Sequence, residues 1–193
     1  MGKVHLTCAS KMTSSGSMDT IMDAHAFARA LERMAGEIGA LADPADLVLV
    51  GIQRRGVELA DRLASLISKS GTEIPRGALD ITLYRDDLET IGPKPFVGET
   101  NIPCNLDSKS VVIVDDVLYT GRTVRAALNE LADFGRPSKV SLCVLIDRGG
   151  RELPIQADIV GERISVGKND RVDVLVRELD GKDGVELVAE GEG

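Results

Sequence analysis

The 193-residue chain has no tryptophan, only 3% aromatic residues and three cysteines. The scarcity of rings removes base stacking on exposed aromatics as a main binding device. Cys8, Cys104 and Cys143 are odd in number and lack metal-ligand spacing, which argues against a disulfide framework or a zinc motif. Cys143 lies in an apolar run and reads as a small core residue rather than a nucleophile. No apolar run approaches the roughly 18–20 residues of a membrane span, so no membrane association is expected. The polar stretch Met1 to Cys8 has no secretory h-region, and a cytoplasmic address is expected. Positive charge is also in short supply. The net charge is −8, which excludes the broadly basic surface of an ordinary nucleic-acid binder. Two widespread phosphate-binding strings are missing as well, Gly-x-x-x-x-Gly-Lys-Ser/Thr and Gly-x-Gly-x-x-Gly.

What remains is an ordinary soluble composition, with 43% hydrophobic and 28% charged residues. The length suits one domain. Residues 1–18 have no periodicity and read as a disordered leader, leaving residues 19–193 as the domain. Asp19 or Thr20 is expected to cap a helix reaching Leu41, with Phe27, Leu31, Met34, Ile38 and Leu41 as its apolar stripe. Leu47–Ile52 is a buried strand, Gln53-Arg54-Arg55-Gly56 a turn and Val57–Ile67 a helix. Leu79–Tyr84 alternates as a strand does. Residues 85–107 hold three of the seven prolines and no helical stripe. A loop of that length is expected to be functional, and it is the candidate lid. After the strand Val111–Val114 comes a helix, Thr123–Phe134, with Val124, Leu128 and Leu131 inward. Val140–Ile146 is a further strand, and short apolar runs follow at 159–160, 172–176 and 185–188. The alternation predicts an α/β fold with a mainly parallel central sheet flanked by helices.

The chemistry is concentrated in Val111 to Ala127. Four β-branched residues make a buried strand, two adjacent acids are expected to end it, and hydroxyls and a glycine precede a helix. In a parallel sheet, ligands bind where strand ends meet helix starts. The helix start offers unpaired amides and partial positive charge, which suits a phosphate. Thr120, Gly121, Arg122 and Thr123 add amides, hydroxyls and a cation. Asp115 and Asp116 would repel a phosphate and suit ribose hydroxyls, Mg²⁺ or a developing positive charge. Two such acids alone equally suit helix caps or solvated loop residues. The whole string Val-Asp-Asp-Val-Leu-Tyr-Thr-Gly-Arg-Thr resembles the phosphoribosyl pyrophosphate (PRPP) signature of type I phosphoribosyltransferases.

Residues 50–56, 79–88, 135–138 and 147–155 extend the likeness, and about residues 21–190 resemble the PyrR family of pyrimidine-operon attenuators and uracil phosphoribosyltransferases. The resemblance implies a type I phosphoribosyltransferase fold with a small hood, about residues 148–180, and a flexible lid, about 85–107. It implies the reaction of uracil with PRPP to give UMP and pyrophosphate, with Mg²⁺ as cofactor. Asp115, Asp116 and Arg85 are then the catalytic candidates, and Asp115 and Asp116 also face the metal, directly or through water. Tyr119, Thr120, Gly121, Arg122 and Thr123 would take the 5′-phosphate, and Gln53, Arg54, Arg55 and Gly56 the pyrophosphate. In related transferases that last turn carries a cis peptide. Ile159 and Val160 would border the base.

The family's second role is nucleotide-sensitive binding of a pyrimidine-operon mRNA leader, the alternative reading of this chain. Arg29, Arg33, Arg148 and Arg151 are the candidate RNA contacts. Glu32, Gly36, Gly150 and Gln156 stand where RNA-binding members present His, Thr or Arg, so attenuation is expected to be weak or lost. Relatives often place Lys at the position of Gln53, which leaves a UMP sensor of feeble turnover as a third reading. A homodimer or larger homo-oligomer is expected.

Overall fold

The computed structural model describes residues 18–68, 71–81, 100–167 and 170–188. The expected leader lies outside them except for Met18, which opens the first strand. The chain runs β1 (Met18–Met22), α1 (Ala24–Gly39), β2 (Leu47–Ile52), α2 (Arg55–Ile67), β3 (Arg76–Leu79), β4 (Ser110–Leu118), α3 (Arg122–Leu131), β5 (Lys139–Asp147), β6 (Ile159–Arg163), β7 (Arg171–Leu175), α4 (Arg177–Asp180) and β8 (Gly184–Val188). A single 3₁₀ turn, Ala132–Phe134, extends α3.

Five strands form an all-parallel sheet in the order β3-β2-β4-β5-β6. β2 is buried at every position, as a central parallel strand covered on both faces must be. One core cluster contains Phe27, Met34 and Ile38 of α1 with Leu59 and Leu63 of α2. The other contains Val124, Ala127 and Leu131 of α3. A second, antiparallel sheet in the order β1-β8-β7 is the hood.

Several expected boundaries move. α1 starts later than predicted, because Asp23 caps it by accepting from the Ala26 amide at 2.7 Å. Asp19 and Thr20 instead pair with β8, which offers a strand edge no local pattern reveals. The α1 stripe is consumed by the core, with Leu41 packed at its margin. β3 ends at Leu79, where the predicted strand began. Its residues 82–84 lie outside the described residues. In α3, Leu128 is 40% exposed and Ala127 takes the inward place between Val124 and Leu131. Of the expected hood, about 148–180, β7 belongs to the second sheet with α4 following it, and β6 belongs to the main sheet.

The lid segment falls into two parts. Arg85 and residues 86–99 lie outside the described residues. Residues 100–107 are seated against the body: Ala78 and Asn101 exchange backbone hydrogen bonds of 2.8 and 2.9 Å, and Leu106 is fully buried.

Candidate active site

The carboxyl ends of β3, β2, β4 and β5 open into one cleft of about 660 Å³, roofed by Arg171 and Val172 of the hood. The strand order arranges its wall. Asp80 and Ile81 follow β3, Gln53, Arg54 and Arg55 follow β2, Asp115, Asp116, Val117, Tyr119 and Thr123 belong to β4 and the start of α3, and Arg148 follows β5.

The two acids do not end β4. The strand continues through them to Leu118, still paired with β5 as far as Asp147. Asp115 is buried and Asp116 half-buried. The Asp116 amide donates to Asp115 Oδ1 at 3.0 Å, and the Val117 amide to Asp116 Oδ1 at 2.9 Å. These bonds fix both carboxylates within the last residues of the strand pairing, near its carboxyl end.

The loop Tyr119–Thr123 is held from behind by the segment 147–155. Arg151 donates to the carbonyls of Leu118 (3.3 Å), Tyr119 (2.8 Å), Gly149 (3.2 Å) and Ile155 (2.9 Å) and pairs with Asp147 at 2.6 Å. The amides of Glu152 and Leu153 both donate to the Thr120 carbonyl, at 3.0 and 3.1 Å. Gly121 sits at φ +93° with Ile155 and Leu153 against it, a backbone that a side chain would strain. α3 begins there with no side-chain cap bond from Gly121, and the Arg122 amide donates instead to the Thr120 hydroxyl in the loop at 3.3 Å. Arg122 is exposed and pairs with Glu152 at 2.8 Å.

The β2–α2 turn carries a cis peptide between Gln53 and Arg54, as the resemblance implied. A Cβ on Gly56 would lie 2.4 Å from the Val114 carbonyl oxygen, and one on Gly51 2.4 Å from that of Gly56. Glycine at both places lets the turn press against β4 beside Asp115. Arg54 is exposed. Arg55 reaches the hood, where Nε and Nη2 donate to Asp180 Oδ2 and Oδ1 at 3.3 and 3.0 Å. Further along α2, Arg62 pairs with Glu178 (2.5 Å) and Asp183 (2.8 Å). Burial pushes the Asp180 and Asp183 carboxyls up, but their hydrogen bonds and arginine partners outweigh it and hold both below the usual carboxylate value. The hydrogen bond from Arg62 holds Glu178 low as well.

Other predicted residues fall elsewhere. Ile159 and Val160 are 3% and 7% exposed, sit in opposite core clusters on β6 and do not line the cleft. Alternating strand side chains sent one to each side of the main sheet. Arg33 donates to the carbonyls of Val160 (3.0 Å) and Gly161 (2.5 Å) and pairs with Glu37. Arg148 lies over the Tyr119 ring at 4.0 Å from its centroid and donates to the Gly167 carbonyl. Gly150 gives that ring room, since a Cβ there would meet it at 2.4 Å. Arg29 is exposed on α1.

Asp80, Arg171 and Val172 line the cleft without having been singled out in the sequence. Asp80 carried a signal, an acid at the end of an apolar strand. The hood residues carried none, because they come from another sheet.

A family profile described as "Phosphoribosyl transferase domain" matches residues 17–176. "Bifunctional protein PyrR" of Chloroflexus aurantiacus is 53% identical over 178 residues, covering 90% of this chain and 96% of that protein. Its namesake in Herpetosiphon aurantiacus is 55% identical over 173 residues, covering 88% and 97%. The chain belongs to the PyrR family of phosphoribosyltransferases. Solved structures share the fold. A hypoxanthine-guanine phosphoribosyltransferase from Bacillus anthracis superposes with a TM-score of 0.68 at 18% identity, covering 91% of this chain and 99% of that one. A hypoxanthine phosphoribosyltransferase from Staphylococcus aureus gives 0.66 at 18% identity, covering 93% and 98%. The parallel sheet of this PyrR-family chain is therefore that of the type I phosphoribosyltransferase fold.

Proposed function

We propose that the chain transfers ribose 5-phosphate from PRPP to uracil, giving UMP and pyrophosphate. The observation that carries this reading is the Asp115–Asp116 pair near the carboxyl end of β4, set in one cleft between the start of α3 on one side and the cis-peptide turn on the other. The 5′-phosphate lies in the loop Tyr119–Thr123, against the first amides of α3 and the Thr120 and Thr123 hydroxyls. The ribose hydroxyls face Asp115 and Asp116. As the bond from C1 to pyrophosphate lengthens, positive charge grows on the sugar, and the two carboxylates stabilise it. Pyrophosphate leaves toward Gln53, Arg54 and Arg55, and the base nitrogen takes its place at C1.

The donor set fits Mg²⁺. Asp115 and Asp116 are hard oxygen ligands at a place where donor oxygens arrive, and Mg²⁺ is commonly held by one or two carboxylates together with substrate phosphates. When bound, the ion neutralises charge on the pyrophosphate. The Tyr119 ring, Arg148 and Val172 border the β5 side of the cleft, and they replace Ile159 and Val160 as the neighbours of the base. Arg85, outside the described residues, stays a catalytic candidate on the family resemblance alone. The protein is proposed to work as a homodimer or larger homo-oligomer.

A UMP-formation assay with Mg²⁺, PRPP and a panel of bases tests the reading. Turnover with uracil is expected, and turnover confined to purines or orotate would overturn it.

The attenuator role is proposed to be weak. Of the four candidate arginines, Arg33 and Arg151 are spent on backbone carbonyls and carboxylates, and Arg148 is held in the cleft. Glu32 adds repulsion on the face that carries Arg29. A gel shift with the leader of its own pyrimidine operon is expected to show only salt-sensitive, weak binding. Tight, UMP-dependent binding at physiological salt would favour the regulator reading.

A further inference from the structure

Arg55 connects two parts of the molecule that have no covalent reason to move together. Its backbone opens α2, directly after the cis peptide, and it lines the cleft at the pyrophosphate end. Its guanidinium is gripped side-on by Asp180 of α4, with 3.0 and 3.3 Å contacts. Asp180 is itself fixed, because its Oδ2 accepts the Val176 amide at 2.8 Å. A carboxylate anchored to backbone is a rigid partner, and a two-point grip fixes the orientation of a guanidinium as well as its position. The grip uses two of the five guanidinium N–H groups and leaves three for phosphate oxygens.

The neighbouring contact is different in kind. Arg62 also ties α2 to the hood, through Glu178 and Asp183, but Arg62 does not line the cleft. That pair fastens the hood. The Arg55–Asp180 pair fastens the hood and also sets a group that faces the cleft.

We propose that Asp180 is a positioning residue for the reaction, holding Arg55 in the pose that receives the pyrophosphate of the donor. The hood thereby sets the affinity for PRPP from outside the cleft. The proposal rests on the phosphoribosyl-transfer reading above. Without Asp180, the long Arg55 side chain has to be ordered by the substrate, and immobilising one such side chain costs about 0.5–1.5 kcal/mol, roughly a two- to twelvefold change in affinity.

The test is a double-mutant cycle on purified full-length protein. Asp180→Asn keeps an acceptor for the Val176 amide and removes the charge. It is expected to raise the KM for PRPP and the inhibition constant of pyrophosphate by about three- to tenfold, with the KM for uracil unchanged. Arg55→Ala removes the receiving group itself and is expected to raise both constants at least as far, and the double variant to match Arg55→Ala, since Asp180 acts through Arg55. Arg62→Gln serves as the control and is expected to lower the melting temperature without moving the KM for PRPP. Three results would each overturn the proposal: an unchanged KM in Asp180→Asn, additive effects in the double variant, or an equal KM rise in Arg62→Gln. If Asp180→Asn does not fold, Arg55→Lys replaces it, because lysine keeps the charge and loses the side-on grip. A raised KM for PRPP is then expected, and an unchanged one overturns the proposal. A wild-type protein with no turnover and no affinity for PRPP would instead refute the proposed function itself.

Discussion

At the scale of single residues, small differences of position separate chemistry from scaffold. Asp116 stands half-buried at the cleft while Val114, two residues before it, is fully buried. Asp116→Asn keeps the shape and removes the charge. In a UMP-formation assay kcat is expected to fall by about 10²–10³, the typical cost of losing one aligned electrostatic group, with an unchanged melting temperature. Gly56→Ala acts through space rather than charge. Its new Cβ would press on the Val114 carbonyl, so a loss of about 1–3 kcal/mol of stability is expected, read by urea unfolding, together with weaker PRPP binding. The Cys143 thiol is pushed up to about 12 by burial, and Cys104 is half-exposed. Mass spectrometry after brief alkylation at neutral pH is expected to find Cys104 modified and Cys143 untouched until the protein is unfolded.

At the scale of elements, the hood is held by charge. Asp180, Asp183 and Glu178 all sit below their ordinary values. Carboxylates of this kind lend stability that is complete above the ordinary range near pH 4 and is lost as pH falls through the depressed values. The hood is therefore expected to loosen first in an acid titration, seen as early exchange of β7 and β8 amides. Glu58 behaves oppositely. Burial, then Glu178 and Asp61, raise its carboxyl, so its charged form weighs against the fold at neutral pH and is relieved on acidification. Glu58→Gln is expected to raise the melting temperature at pH 7 and to leave it unchanged near pH 3. These elements were unequally legible in the sequence. α1, α2 and the strands at 47–52, 111–114 and 140–146 carried their own periodicity and emerged with shifts of a few residues. β1 did not, because five residues such as Met-Asp-Thr-Ile-Met have no strand pattern until β8 supplies the missing edge. Leu128 was misassigned because the buried face of α3 runs through Val124, Ala127 and Leu131, which leaves Leu128 on the exposed side.

At the scale of the whole molecule, the parallel sheet and its cleft followed from the alternation of elements and one long motif, while the roof did not. Arg171 and Val172 reach the cleft from a second sheet, and the motif says nothing about them. Surface charge was the least legible property. Arg33 and Arg151, candidate RNA contacts in the sequence, are engaged with backbone carbonyls and carboxylates in the fold. Arg151→Ala removes four carbonyl contacts and the Asp147 pair together. It is expected to cost about 2–4 kcal/mol, scaled down from a fully buried pair, and to lower the melting temperature by roughly 4–16 °C. Any RNA affinity measured by gel shift at a temperature where the variant is folded should be unaffected.

The pairing of Met18 with Val188 has a bearing on biosynthesis. Every strand of the main sheet is complete once Arg163 has left the ribosome, yet β1, made first of all, waits for β8 before it has a neighbour. A nascent chain therefore holds the loop 119–123 and both acids well before it holds a covering. The roof over the cleft is finished only after β8 has emerged, when two strands far apart in sequence meet over ground prepared in between.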